Sequence, residues 1–131
     1  MLDVFSQPAD GIQDAPHDSR LSAAGYQVGL RAIKLNCAHD RHTLTEELMM
    51  GLSVPLETTE SWDALLDALT RPDQPERFGI LLLGYRDFRY RMPRLSNELD
   101  ATLTEAQRRL AAQGKQLYLL AAYPEADPRH F

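Results

Sequence analysis

The sequence predicts an α/β domain, a small three-stranded parallel sheet packed with helices. Three observations predict it. Phe78-Gly79-Ile80-Leu81-Leu82-Leu83 is a continuous apolar run bounded by polar loops, the pattern of a strand buried on both faces, as in a parallel sheet. Leu99, Leu103, Ala106 and Leu110 recur at i, i+4, i+7 and i+11, the signature of an amphipathic helix. The segments read in order as strand, two helices, strand, helix, strand, so helices supply the long crossovers that parallel strands need.

Each element has its own signal. Residues 1–24 show no period and are interrupted by Pro8, Gly11 and Pro16, which reads as a flexible N-terminal arm. The domain proper is expected over 25–123. Val28, Leu30, Ile33 and Leu35 lie in a strand-like run ending at Asn36. Thr43 to Leu52 reads as a helix: Thr43 and Glu46 have capping-box spacing, and Leu44, Leu48 and Leu52 form a stripe. Gly51 and Pro55 limit it. A second helix opens after Ser61, a natural N-cap, and stops at Arg71-Pro72. Tyr85 to Pro93 alternates charge and aromatics without a clear period. Asn97 to Gln113 is the clearest helix, with Gly114 as its stop. Gln116 to Tyr123 is the last strand, and 124–131 a short polar tail.

Composition narrows the function classes. A length of 131 residues suits one domain with its own core. A net charge of −5 argues against general nucleic-acid binding and favours a basic protein partner. Cys37 is the only cysteine, which rules out an internal disulfide and favours a reducing compartment. No basic stretch followed by an apolar run opens the chain, and the longest apolar runs are too short to span a bilayer, so a cytoplasmic protein without membrane contact is expected.

The segment with the sharpest functional content is Trp62-Asp63-Ala64-Leu65-Leu66-Asp67-Ala68-Leu69. Trp62, Leu65 and Leu69 make an apolar stripe that Leu66 borders, with Trp62 anchoring the helix to the core. Asp63 and Asp67 stand one turn apart on the other side, with Glu57 and Glu60 upstream. Between Val54 and Thr70 there is no Lys or Arg. Unpaired carboxylates on an exposed face suit a surface that meets cations.

Other clusters carry less. Cys37, His39, Asp40 and His42 match no familiar metal-ligand spacing, so they read as a polar turn with Cys37 partly buried, and neither a metal nor a cofactor is expected. Arg86, Arg89, Arg91 and Arg94, interleaved with Tyr85, Phe88 and Tyr90, are expected to form salt bridges to the acid-rich remainder of the chain. Catalysis is not expected: no Ser-His-Asp or Cys-His set and no phosphate-binding glycine loop accompanies the carboxylates.

These residues resemble the barstar-like ribonuclease inhibitors. The family's hallmark is a loop with proline followed by a helix reading aromatic or Leu, Asp, Ala, Leu, any, Asp, any, Leu. Here that is Val54-Pro55 and then Trp62 to Leu69. Ile80 to Phe88 is similar to the family's central strand and following turn, and Ala111-Ala112-Gln113-Gly114 with Leu117 to Ala121 to its last helix and strand. The resemblance implies a barstar-like fold and an intracellular inhibitor of a secreted bacterial ribonuclease or toxin, monomeric when free. It implies that the acidic helix and the loop before it plug the enzyme's cleft, with Asp67 as the central carboxylate, Asp63 its neighbour, and Glu57, Thr58, Thr59 and Glu60 contributing from the loop. Two features depart from the pattern. The loop Leu56 to Ser61 has neither the tyrosines nor the glycine often found there, and Arg109 stands where the namesake has a Glu contact on its last helix. A different class of function, a non-inhibitory adaptor of the same fold, would use the Arg86–Arg94 segment or the N-terminal arm.

Overall fold

The computed structural model describes residues 5, 9–15, 28–55, 57 and 60–123. The expected C-terminal tail, most of the expected arm and residues 25–27 of the expected domain lie outside the described residues.

The fold is α/β, as expected, with four parallel strands in place of three. In chain order these are β1 (Ile12–Asp14), β2 (Gly29–Lys34), β3 (Arg77–Leu83) and β4 (Gln116–Ala122). The sheet order is β1-β4-β3-β2. Among the described residues four α-helices accompany them: α1 (Arg41–Leu52), α2 (Trp62–Leu69), α3 (Tyr85–Arg91) and α4 (Pro93–Ala112). The additional strand, β1, comes from the stretch read as a flexible arm. It pairs Ile12 with Leu119 and Asp14 with Ala121. The Gly11 amide donates to Gln107 Oε1 at 2.7 Å and the Ala15 amide to the Ala121 carbonyl at 2.8 Å. Three residues cannot display an alternation, and the partners of β1 lie at the far end of the chain.

Side chains alternate across the sheet. Ile33, Ile80, Leu82, Leu117 and Leu119 face the main core shared with the helices. Leu81, Leu83, Tyr118 and Leu120 point to the other face, where Phe5 and Val28 cover them. Phe5 is fully buried, its ring edge-on to Tyr118 at 5.1 Å between centroids.

The helix boundaries show where local signals compete. α1 begins two residues before the expected Thr43, with Asp40 as its N-cap. The Asp40 carboxylate accepts from the Thr43 amide at 2.8 Å, which holds its pKa below the usual carboxylate value, and Thr43 Oγ1 accepts from the Asp40 amide at 3.0 Å. Thr43 thus serves as the third residue of the box rather than its first. Gly51 lies inside α1, where a Cβ would stand 2.3 Å from the Ala32 carbonyl oxygen, so this glycine lets the helix abut β2. The chain leaves α1 through Ser53 in the left-handed region, φ 55°.

After β3 the chain turns at Gly84, φ 73°, where a Cβ would meet Asn36 at 2.7 Å. The segment without a clear period is the short helix α3, which buries Tyr85 and Phe88. α4 starts at Pro93, four residues before the expected Asn97, because proline suits the first helical position. Among the described residues no helix is long and apolar enough to cross a membrane.

Candidate functional site

The acidic helix α2 forms where the sequence places it. Ser61, in extended conformation, caps it by accepting from the Ala64 amide at 3.0 Å. Asp63 falls in the first turn, where the helix dipole favours an anion. Leu65, Leu66, Ala68 and Leu69 are buried, so Leu66 belongs to the core-facing side. At the other end the Thr70 hydroxyl donates to the Leu66 carbonyl at 2.8 Å and Gln74 Nε2 to the Ala68 carbonyl at 2.9 Å.

Asp63, Asp67, Glu57 and Glu60 are all exposed. Among the described residues none of them forms a salt bridge. The structure therefore brings Asp63 and Asp67 together on one open face, with Glu60 just ahead of the cap. Thr58 and Thr59 lie outside the described residues.

Three side chains frame the start of this helix. Trp62 is half-buried against the core, and its Nε1 donates to Glu98 Oε2 of α4 at 3.1 Å. The Arg41 guanidinium of α1 lies over the Trp62 ring, 4.1 Å from the centroid, within cation–π range. Arg41 Nη2 donates to the Glu60 carbonyl at 3.4 Å, and Nη1 is 3.9 Å from Glu98 Oε2. Sequence reasoning found Trp62 and missed Arg41 and Glu98, since no local spacing links three different helices.

α2 and α4 pack side by side. Arg109 of α4 donates to Glu105 Oε2 at 3.0 Å, and Arg108 binds the same carboxylate at 2.5 Å. These two hydrogen bonds, Arg108 first, hold the Glu105 pKa down at about 2. At the position where the resemblance implies an acid, the surface thus carries a guanidinium.

The remaining clusters are engaged internally. Arg86 pairs with Asp14 at 2.5 Å and Arg91 with Asp87 at 2.6 Å, as expected for salt bridges to nearby acids. Arg91 also donates to the Ala38 carbonyl at 3.0 Å and the Leu35 carbonyl at 3.3 Å. Arg89 and Arg94 are exposed. The buried Tyr85 hydroxyl donates to Asp100 at 2.7 Å. Burial, then that hydrogen bond to Asp100, raises the Tyr85 pKa to about 12, and burial raises that of Asp100. An open groove lined by Ile12, Asp14, Tyr85, Arg86, Arg89 and Ala121 shares no residue with the acidic face. Cys37 is exposed rather than partly buried, because the short 3-10 turn Leu35–Cys37 turns Leu35 inward and leaves the thiol outside. Among the described residues no group of three or more His, Cys, Asp or Glu is arranged to hold a metal ion.

The family described as Barstar (barnase inhibitor) matches the chain over residues 29–122, well over half its length and including all of α2. No curated protein matches the chain.

Proposed function

The chain belongs to the Barstar family, and on that premise we propose that it inhibits a bacterial ribonuclease by seating the carboxylates of α2 in the enzyme's basic active-site cleft. The family's description is that of an inhibitor rather than a catalyst, and of one whose partner is a protein. The observation that carries the reading is the pair Asp63 and Asp67, exposed and free of salt bridges among the described residues, on a helix fixed by a cap and by four buried residues. A short carboxylate on a rigid helix accepts bidentate hydrogen bonds from Arg at little further loss of freedom. Opposite charge also steers a basic enzyme into encounter. Asp67 is the central contact and Asp63 its neighbour, with Glu60, Glu57, Thr58 and Thr59, which precede the helix in sequence, as further contacts. The cell compartment consistent with this role is the cytoplasm, where an inhibitor guards against the enzyme before its export.

The adaptor reading has less support. Arg86 and Arg91 are engaged within the chain, and Ile12–Asp14 of the supposed arm is spent on the sheet. The test is inhibition: the purified chain is titrated into barnase, and the wild-type chain is used in parallel to capture binders from its source cells. Stoichiometric loss of ribonuclease activity, for barnase or for a captured enzyme, is the expected result. If barnase stays fully active at saturating chain and the captured proteins include no ribonuclease, the reading falls.

A further inference from the structure

We propose that Arg41 is the positioning residue of the acidic face: it fixes where α2 begins, and so where Asp63 and Asp67 stand, without neutralising either. This rests on the inhibitor reading for its functional consequence and on geometry alone for its structural one. Arg41 is the first residue of α1, where a cation opposes the helix dipole. Its placement is accounted for by what it reaches outside its own helix. Its guanidinium covers the Trp62 ring, donates to the carbonyl of Glu60 and approaches Glu98, which in turn accepts from Trp62 Nε1. The contacts close a ring through α1, the loop before α2, the first residue of α2, and α4.

The chemistry of the ring explains its selectivity. Arg41 donates to a backbone carbonyl, forms a long ion pair with Glu98 and lays its flat face on the indole. Neither Asp63 nor Asp67 is among its partners, so both carboxylates stay open to a partner. A planar fork can stack and donate at once, whereas an ammonium offers only a point charge. The role therefore belongs to arginine and not to any cation.

Trp62 is the only tryptophan of the chain, so its fluorescence reports this ring alone. The experiment uses the full chain with Arg41→Gln, Arg41→Lys and, as an exposed control, Arg108→Gln. The reporting amides are Ala64, bonded to Ser61 Oγ at 3.0 Å, and Leu65, bonded to the Ser61 carbonyl at 3.1 Å. Their hydrogen exchange is expected to quicken about tenfold in Arg41→Gln, as a local opening becomes easier, with the Leu103 and Leu110 amides of α4 unchanged. Arg41→Lys follows Arg41→Gln in exchange while keeping wild-type resistance of Trp62 emission to quenching by caesium ions, because the charge remains and the fork is gone. Arg108→Gln changes neither readout. With barnase as the probe, Arg41→Gln raises the dissociation rate about tenfold and leaves association as fast or faster, since the face has lost a cation.

Unchanged exchange at Ala64 and Leu65 in Arg41→Gln overturns the proposal. So does equal quickening along α4, which means general loosening, full restoration by Arg41→Lys, which means charge alone, or a slower association with barnase. A wild-type chain that does not bind barnase counts against the inhibitor reading in that form, and the exchange and quenching results still decide the role of Arg41.

Discussion

Replacing Asp67 by Asn should stabilise the free chain and weaken its complex. The two effects have separate origins in the structure. Asp67 lies in the last half of the eight-residue helix α2, near the end whose dipole is negative, and one turn beyond Asp63. An anion at that end costs roughly 0.3–1 kcal/mol, and a like-charge pair at i,i+4 costs roughly 0.2–0.5 kcal/mol. With no salt bridge to lose among the described residues, Asp67→Asn should raise the unfolding free energy by about 0.5–1.5 kcal/mol. In the proposed complex the same carboxylate would make charge-assisted hydrogen bonds, worth about 1.5–3 kcal/mol. Losing them should raise the inhibition constant by roughly 10- to 150-fold. Urea unfolding followed by circular dichroism gives the first number, and inhibition of barnase, or of the captured ribonuclease, the second. The binding effect should shrink in 1 M salt, where the screening length falls to about 3 Å. A variant that is less stable than wild type refutes the account of the free chain, and one that inhibits as well as wild type refutes the assignment of Asp67 as a partner contact.

Gly51→Ala sets two effects against each other. Helix propensity favours alanine by about 1 kcal/mol, but its Cβ would lie 2.3 Å from the backbone oxygen of Ala32, so α1 must move off β2 and a net loss of about 1–2 kcal/mol is expected in urea unfolding. A gain in stability would show that the helix shifts freely. Ser61→Ala removes the acceptor of the Ala64 amide and should cost about 1 kcal/mol, with faster exchange at that amide as the local readout. Tyr85 holds its proton in the folded state up to a pKa of about 12, whereas an unfolded tyrosine loses its proton near 10. Between those values the folded chain binds more protons than the unfolded one, so stability falls as pH rises from about 10 to 12. Tyr85→Phe should flatten that decline in pH-dependent unfolding, and an unaltered slope would place it in other groups.

What the sequence made legible was whatever depends on near neighbours. The run Phe78–Leu83 announces β3, and the spacing of Leu99, Leu103, Ala106 and Leu110 announces α4, because both patterns are contained in their own segments. The acidic face was legible for the same reason, since Asp63 and Asp67 share one helical turn. Competition between similar signals was harder. Asp40 and Thr43 both offer a cap, and which residue serves as N-cap depends on where the chain enters α1 from the 3-10 turn, with the His39 amide also donating to Thr43 Oγ1. α3 was hidden because seven residues bury only two side chains, too few to show a period. β1 and the Arg41–Trp62–Glu98 ring were out of reach, since their contacts join distant parts of the chain.

That division explains how so short a helix can serve as a rigid site. An isolated helix of eight residues is unstable in water, so α2 takes its order from tertiary contacts. Leu65, Leu66, Ala68 and Leu69 bind it to the core from below, Ser61 closes its first turn, and Arg41 and Glu98 hold Trp62. The legible half of the site is the chemistry that faces outward. The illegible part is Arg41 and Glu98, which complete the framework that keeps the carboxylates from moving. It follows that partner affinity can be lost in two distinguishable ways. A change on the outer face, such as Asp67→Asn, removes a contact and leaves the Ala64 and Leu65 amides protected. A change in the framework keeps both Asp63 and Asp67 in the chain but frees them to move, and exposes those amides.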